Sequence, residues 1–193
     1  NPEKNSVHGL DSKINEKIVY NLHNKDFLFI KLLDHPAVYP ILADMLQECS
    51  YNNSEPFIHT LSSARSPLKG APKQQLHIDS RYPAAPFALS AIAIFCLDDF
   101  YEANGATRVV PGSHKSPTYP ENGKIYSNEI TLSAPKGSVV VYNGSLWHGS
   151  GQNQSDDTRW AIIYSYARWF IKPSFDFNRK LTNLSFTYIH TQL

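Results

Sequence analysis

Apolar residues in the first quarter of the chain recur at helical spacing. Val38, Ile41, Leu42, Met45, Leu46 and Cys49 fall at three- and four-residue intervals on one face. Pro36 stands near the start of that stretch, where a missing N–H is tolerated. Residues 12–22 carry Ile14, Ile18 and Leu22 at the same spacing and predict an earlier helix; residues 26–33 predict a short apolar one. After Tyr51 the pattern changes. Proline and glycine punctuate short runs of β-branched and aromatic residues, which predict strands over 57–61, 75–79, 88–97, 107–110, 129–132, 138–142 and 158–170. Helices followed by a run of short strands indicate an α+β class, mainly β, built as a sandwich or barrel. Beyond Phe170 the polar run with Pro173 reads as an irregular wrap.

Composition narrows this picture. With 193 residues the chain suits one domain. We expect it to be helical over 1–50, to hold its β core over about 55–170, and to finish in a wrap over 171–193. The formal net charge is +1, with both signs scattered, which argues against a nucleic-acid partner. The longest apolar run, residues 91–97, has strand length and not the length of a membrane span. No secretory signal is visible. Cys49 and Cys96 lie in apolar contexts and read as buried free thiols, compatible with the cytoplasm expected for this chain. The chain starts at Asn1-Pro2 without an initiator methionine, so we expect natural sequence ahead of it.

The candidate chemistry lies in His77-Ile78-Asp79 and, far downstream, His148. Residues two apart on a strand share a face, so His77 and Asp79 converge while Leu76 and Ile78 turn away. His148 follows the apolar stretch 138–142 and precedes Gly149, which allows close backbone approach. Two imidazoles and one carboxylate compose the facial triad of non-haem iron(II) oxygenases, which leaves positions for a bidentate 2-oxoacid and O2. The polar stretch 149–157 then turns the chain, and a hairpin there returns Arg159 towards His148. A guanidinium in that place can fork onto a distal carboxylate better than an ammonium can. The competing reading has His77 pairing locally with Asp79, and Arg159 with Asp156 or Asp157.

Three blocks then carry a resemblance: Gln74-Gln75-Leu76-His77-Ile78-Asp79; the stretch from Asn104-Gly105-Ala106-Thr107-Arg108 to Pro111-Gly112-Ser113-His114; and Leu146-Trp147-His148-Gly149-Ser150-Gly151 with Asn153 and Arg159. In that order and spacing they resemble the phytanoyl-CoA dioxygenase family of iron(II)/2-oxoglutarate oxygenases. The resemblance implies a double-stranded β-helix, a jelly roll with flanking N-terminal helices. It implies iron ligands at His77, Asp79 and His148, the 2-oxoglutarate arginine at Arg159, and further co-substrate contacts at Gln74 and Thr107. Strict alternation would favour Gln75 over Gln74; the family pattern favours Gln74. The implied reaction couples decarboxylation of 2-oxoglutarate by O2 to hydroxylation of an aliphatic C–H bond in a small-molecule or lipid-like substrate, releasing succinate and carbon dioxide. Related halogenases carry a small residue in place of Asp79, so its carboxylate points to oxygenation. Two other readings remain: a non-catalytic jelly-roll metal-binding module, and a cupin-like metal enzyme that does not use 2-oxoglutarate.

The remaining polar residues have plainer readings. His114 belongs to a turn. Trp147 is expected to pack beside the metal and limit water. His8, His23, His35, His59 and His190 lack partner spacing. Asn52, Asn143, Asn153 and Asn183 lie in sequons of no weight without secretion. Arg81, Tyr82 and Arg108 flank the motifs and are substrate-contact candidates.

Overall fold

The computed structural model describes residues 15–47, 57–80, 82–83 and 85–173. Strands dominate, as expected, and form two antiparallel sheets. The larger joins β1 (Glu16–Tyr20), β2 (Phe57–Pro67), β8 (Ala161–Arg168), β3 (Ser90–Cys96) and β6 (Val139–Asn143), in that order. The smaller joins β5 (Ile130–Thr131), β4 (Thr107–Val109) and β7 (His148–Ser150). Two helices lie between β1 and β2: α1 (Phe27–Lys31) and α2 (Tyr39–Leu46).

Register in the large sheet follows the period-two rule. Ile18 stands opposite Arg65, Arg65 opposite Ala161, and Ile163 opposite both Ser63 and Ile94. One face therefore carries Ala64, Ala93, Phe95, Ile162, Tyr164 and Tyr166, which pack with Leu22, Val38, Leu42 and Leu46 from the helical segment. Val38, Leu42 and Leu46 recur every four residues, and Pro40 occupies the first turn of α2, where its missing N–H costs nothing. The opposite face carries Ile92, Ile94, Tyr142 and Ala161, in a second cluster with Phe100 and Ala106. That inner face lines the candidate site.

Several expectations need correction. Residues 16–20 form β1, not helix, so the N-terminal quarter is not uniformly helical. The spacing of Ile14, Ile18 and Leu22 is even throughout, and a four-residue interval satisfies a strand face as readily as a helical one. The strand expected over 75–79 reduces to one bridge, His77 with His148. The helix starting near Val38 is shorter than expected; Cys49 and the wrap beyond 173 lie outside the described residues. No helix among the described residues is long and apolar enough to cross a membrane.

Candidate metal centre

Backbone pairing brings the two histidines together. The His77 N–H donates to the His148 carbonyl at 2.9 Å, and the His148 N–H donates back at 3.0 Å. Their ring centroids lie 4.3 Å apart. Each Nδ1 faces a carbonyl two residues back: Gln75 O at 3.2 Å from His77 and Leu146 O at 2.9 Å from His148. A carbonyl only accepts, so each Nδ1 carries a hydrogen, and in the neutral ring Nε2 keeps a lone pair. Asp79 stands between those nitrogens, with Oδ1 3.8 Å from His77 Nε2 and Oδ2 3.4 Å from His148 Nε2.

Asp79 is aimed by the turn after β6. Gly144 O accepts from the N–H of both Asp79 and Ser80, at 2.8 Å each. A Cβ at Gly144 would meet Ser90 Oγ at 2.1 Å and the Ser90 carbonyl at 3.3 Å, so a side chain there must displace the Ser90 hydroxyl. The candidate ligand atoms of His77, Asp79 and His148 all lie within 4.8 Å of one another, close enough to hold one metal ion.

The charges agree with a cation site. Burial pushes the Asp79 carboxyl up, but the hydrogen bond and charge of His148 outweigh it and hold it below its ordinary value. Burial lowers His148, and its bond to Asp79 reverses the sign, so it ends raised. His77 is lowered by burial and by the neighbouring His148. Without a metal, a proton on His148 serves the carboxylate; a divalent cation can replace it.

The triad opens into a cavity of about 490 Å³ lined by both sheets. Its size falls within the range of small-molecule sites. Gln74, Thr107 and Arg159 all line it. The Gln74 side-chain oxygen accepts from the Ser150 N–H at 3.1 Å, which fixes the amide beside β7. Gln75 is not among the lining residues; its side-chain oxygen accepts from Gly123 N–H at 3.3 Å. Arg159 is 7% exposed. Its guanidinium stacks over Phe100 at 4.7 Å, its buried Nε has no hydrogen-bond partner, and no described carboxylate pairs with it. Burial lowers its pKa to about 10, leaving it cationic at neutral pH.

His77 does lie beside Asp79, as the local reading has it, but the local reading of Arg159 fails. Asp156 pairs with Lys69 at 2.6 Å, and Asp157 accepts from the Tyr101 hydroxyl, so neither serves Arg159. Nor is Arg159 delivered by a hairpin, because β7 and β8 belong to different sheets. The chain crosses between them, held by Asp98, which accepts from Thr158 Oγ1 at 2.7 Å and from the Trp160 N–H at 2.8 Å. Arg108 is engaged elsewhere, with Glu129 and with the Gln74 carbonyl at 2.6 Å. Trp147 stacks on Tyr126 and does not line the cavity. Tyr142, whose ring lies 4.9 Å from that of His148, occupies the position expected of Trp147. Tyr82 is exposed, His114 sits in a 3-10 turn, and Arg81 lies outside the described residues. Asn153 is fully buried and donates to Pro67 O at 3.1 Å, so it is a brace. Sequence reasoning missed Glu16, Arg65 and Tyr142; the apolar run of β6 was the available signal for Tyr142 alone.

The sequence profile of the phytanoyl-CoA dioxygenase (PhyH) family matches residues 3–161. Dioxygenase trt7 of Aspergillus terreus is 34% identical over 140 residues, covering 66% of this chain and 46% of its own length. Multifunctional dioxygenase prhA of Penicillium brasilianum is 34% identical over 122 residues, covering 54% and 39%. The chain thus spans less than half the length of these relatives. HygX from Streptomyces hygroscopicus, solved with nickel and 2-oxoglutarate bound, superposes with a TM-score of 0.67 over 84% of this chain and 73% of its own. At 15% identity that likeness is one of fold.

Proposed function

The chain belongs to the phytanoyl-CoA dioxygenase family, and from that membership we propose that it is an iron(II)- and 2-oxoglutarate-dependent dioxygenase hydroxylating an aliphatic C–H bond of a small-molecule or lipid-like substrate. The two sheets are then the halves of a double-stranded β-helix forming a single oxygenase domain. The observation that carries the reading is Arg159, whose guanidinium meets no carboxylate and whose Nε meets no acceptor among the described residues, buried in the same cavity as the triad. A buried cation without an anionic partner is costly unless a ligand supplies the anion.

In this reading His77, Asp79 and His148 hold the iron through Nε2, a carboxylate oxygen and Nε2. The carbonyls of Gln75 and Leu146 fix the imidazole tautomers. Arg159 grips the distal carboxylate of 2-oxoglutarate, with Gln74 and Thr107 as further contacts. Tyr142, Ile94 and Ile163 cover the cavity wall and exclude water. When bound, iron(II), 2-oxoglutarate and O2 supply the oxidation of an unactivated C–H bond, leaving succinate and carbon dioxide as co-products.

Arg159→Ala should raise the apparent Michaelis constant for 2-oxoglutarate while iron affinity changes little. Loss of a charge-assisted fork costs on the order of 1.5–3 kcal/mol, roughly ten- to a hundred-fold in affinity. Succinate formation against added iron(II) and 2-oxoglutarate measures this. An unchanged 2-oxoglutarate dependence in the variant refutes the assignment, and iron binding without 2-oxoglutarate consumption by the unmodified protein refutes the oxygenase reading.

A further inference from the structure

The large sheet carries a second arginine on its inner face. Arg65, on β2, stands opposite Ile18 of β1 and Ala161 of β8, and it lines the same cavity as the triad and Arg159. Its Nε donates to Ser63 Oγ at 3.1 Å and its Nη1 to Glu16 Oε1 at 3.1 Å. Its hydrogen bonds among the described residues use Nε and Nη1, and the guanidinium lies over the Tyr20 ring at 5.9 Å. These bonds hold the guanidinium plane while leaving donors for a ligand. Its side chain is about a quarter exposed and lines the cavity wall beside Ser63 and Ala161.

The charge balance leaves room for an anion. The charged side chains lining the cavity are Arg65, Lys73 and Arg159 against Glu16 and Asp79. Lys73 leans on Glu129 at 3.0 Å, but that one carboxylate also serves Arg108, so a positive surplus stays in place. Iron(II) and 2-oxoglutarate carry opposite and equal charges, and their binding leaves the surplus unchanged. Arg159 is the cation assigned to the co-substrate and Lys73 is more than half exposed, which leaves Arg65, held to Glu16 through Nη1, as the inner-face cation for the other ligand.

We propose that Arg65, steadied by Ser63 and Glu16, is the specificity-determining residue of the cavity and that the prime substrate bears a carboxylate which it binds. The proposal rests on the oxygenase reading for the identity of Arg159's ligand. Glu16 competes with the substrate carboxylate for the same guanidinium, so it moderates affinity and keeps Arg65 neutralised when the cavity is empty.

The test uses the full chain loaded anaerobically with iron(II) and 2-oxoglutarate. Butyrate, hexanoate and benzoate are titrated calorimetrically beside their primary amides, which match them in shape and lack the charge. The acids should bind at least tenfold more tightly than the amides. Arg65→Met should erase that difference and Arg65→Lys should retain part of it, with 2-oxoglutarate affinity within twofold of the original in both. Glu16→Gln should tighten the acids several-fold by releasing the guanidinium. A purely structural ion pair predicts no gain in that variant, which keeps the proposal open to refutation should Arg65→Met not fold. Equal binding of acids and amides, no binding of either, discrimination surviving Arg65→Met, or no gain with Glu16→Gln overturns the proposal. A fall in 2-oxoglutarate affinity with Arg65→Met overturns it too, by assigning Arg65 to the co-substrate. Repeating the titrations without 2-oxoglutarate separates the two readings: a chain that never binds 2-oxoglutarate sinks the oxygenase reading, while the Arg65 subsite is judged on its own titration.

Discussion

In the proposed reading Asp79 decides more than metal affinity. Its two oxygens address the two imidazoles separately, at 3.8 and 3.4 Å, and both ligand nitrogens lose their shared partner when it is removed. With the carboxylate in place, a halide must displace an anion to reach the metal, so turnover should be independent of chloride. Product mass spectra with and without chloride check this; a chlorinated main product from the unmodified protein refutes it. Asp79→Gly should lose native oxidation and most iron affinity, since two ligands do not fix the geometry. His148→Ala should behave alike, and full iron affinity in that variant would remove His148 from the ligand set. The triad was legible in the sequence because His77 and Asp79 are two apart. Arg65 was not, because an arginine in an alternating strand looks the same whether its face meets solvent or a cavity.

At the scale of elements, the site depends on the loops that cross between sheets. Gly105 has φ +77°, and a Cβ there would lie 3.0 Å from the Gly151 carbonyl. Asn104 and Asn153 form a bridge beside it, and Gly151 N–H donates to Ala106 O at 3.0 Å. This brace ties the segment before β4 to the segment after β7, and so aligns Thr107 with Ser150. Gly105→Ala should cost on the order of 1–3 kcal/mol, from a left-handed backbone and a backbone contact that cannot yield. Urea unfolding measures the loss; an unchanged midpoint would show that the brace does not hold. The β1 assignment was misread at this scale, since Ile14, Ile18 and Leu22 satisfy both periods. Its partner β2, 49 positions away at the Arg65–Glu16 pair, settles it by hydrogen bonding.

Across the whole molecule, two histidines give opposite responses to acid. His148 is raised, so its pairing with Asp79 stabilises the metal-free protein below the ordinary histidine pKa of 6.5 and fades as pH rises through the raised value. Asp79 is lowered, so its share is present above 3.8 and fades as pH falls through the depressed value. If His148 is an iron ligand as proposed, iron competes with its proton, and iron(II) affinity should fall as pH drops through that raised value, with proton release on binding. Anaerobic iron titrations between about pH 8 and pH 5.5 test this; a flat profile contradicts it. His59 behaves conversely. Burial among Tyr164 and Tyr166 lowers it to about 4, against a hydrogen bond to Leu61 O at 2.7 Å. Stability is present above 6.5 and is lost as pH falls towards 4, by at most roughly 3 kcal/mol. His59→Gln should flatten that acid limb in equilibrium unfolding, and an unaltered limb would assign the acid sensitivity elsewhere.

The sequence by itself determined the residue types of the triad, the shared face of His77 and Asp79, the mainly β class, and most strand positions. These are local properties: a side chain's face follows from parity, and a strand's place from β-branched runs between turn residues. Tertiary structure alone decided that His148 pairs with His77, that β7 and β8 lie in different sheets, and that Arg159 meets no carboxylate among the described residues. It also decided that Arg65 and Glu16 share the cavity while Trp147 and Arg108 turn away from it. Those facts depend on register between distant strands, where a shift of one residue reverses every side chain, and no local period records which register packing selects.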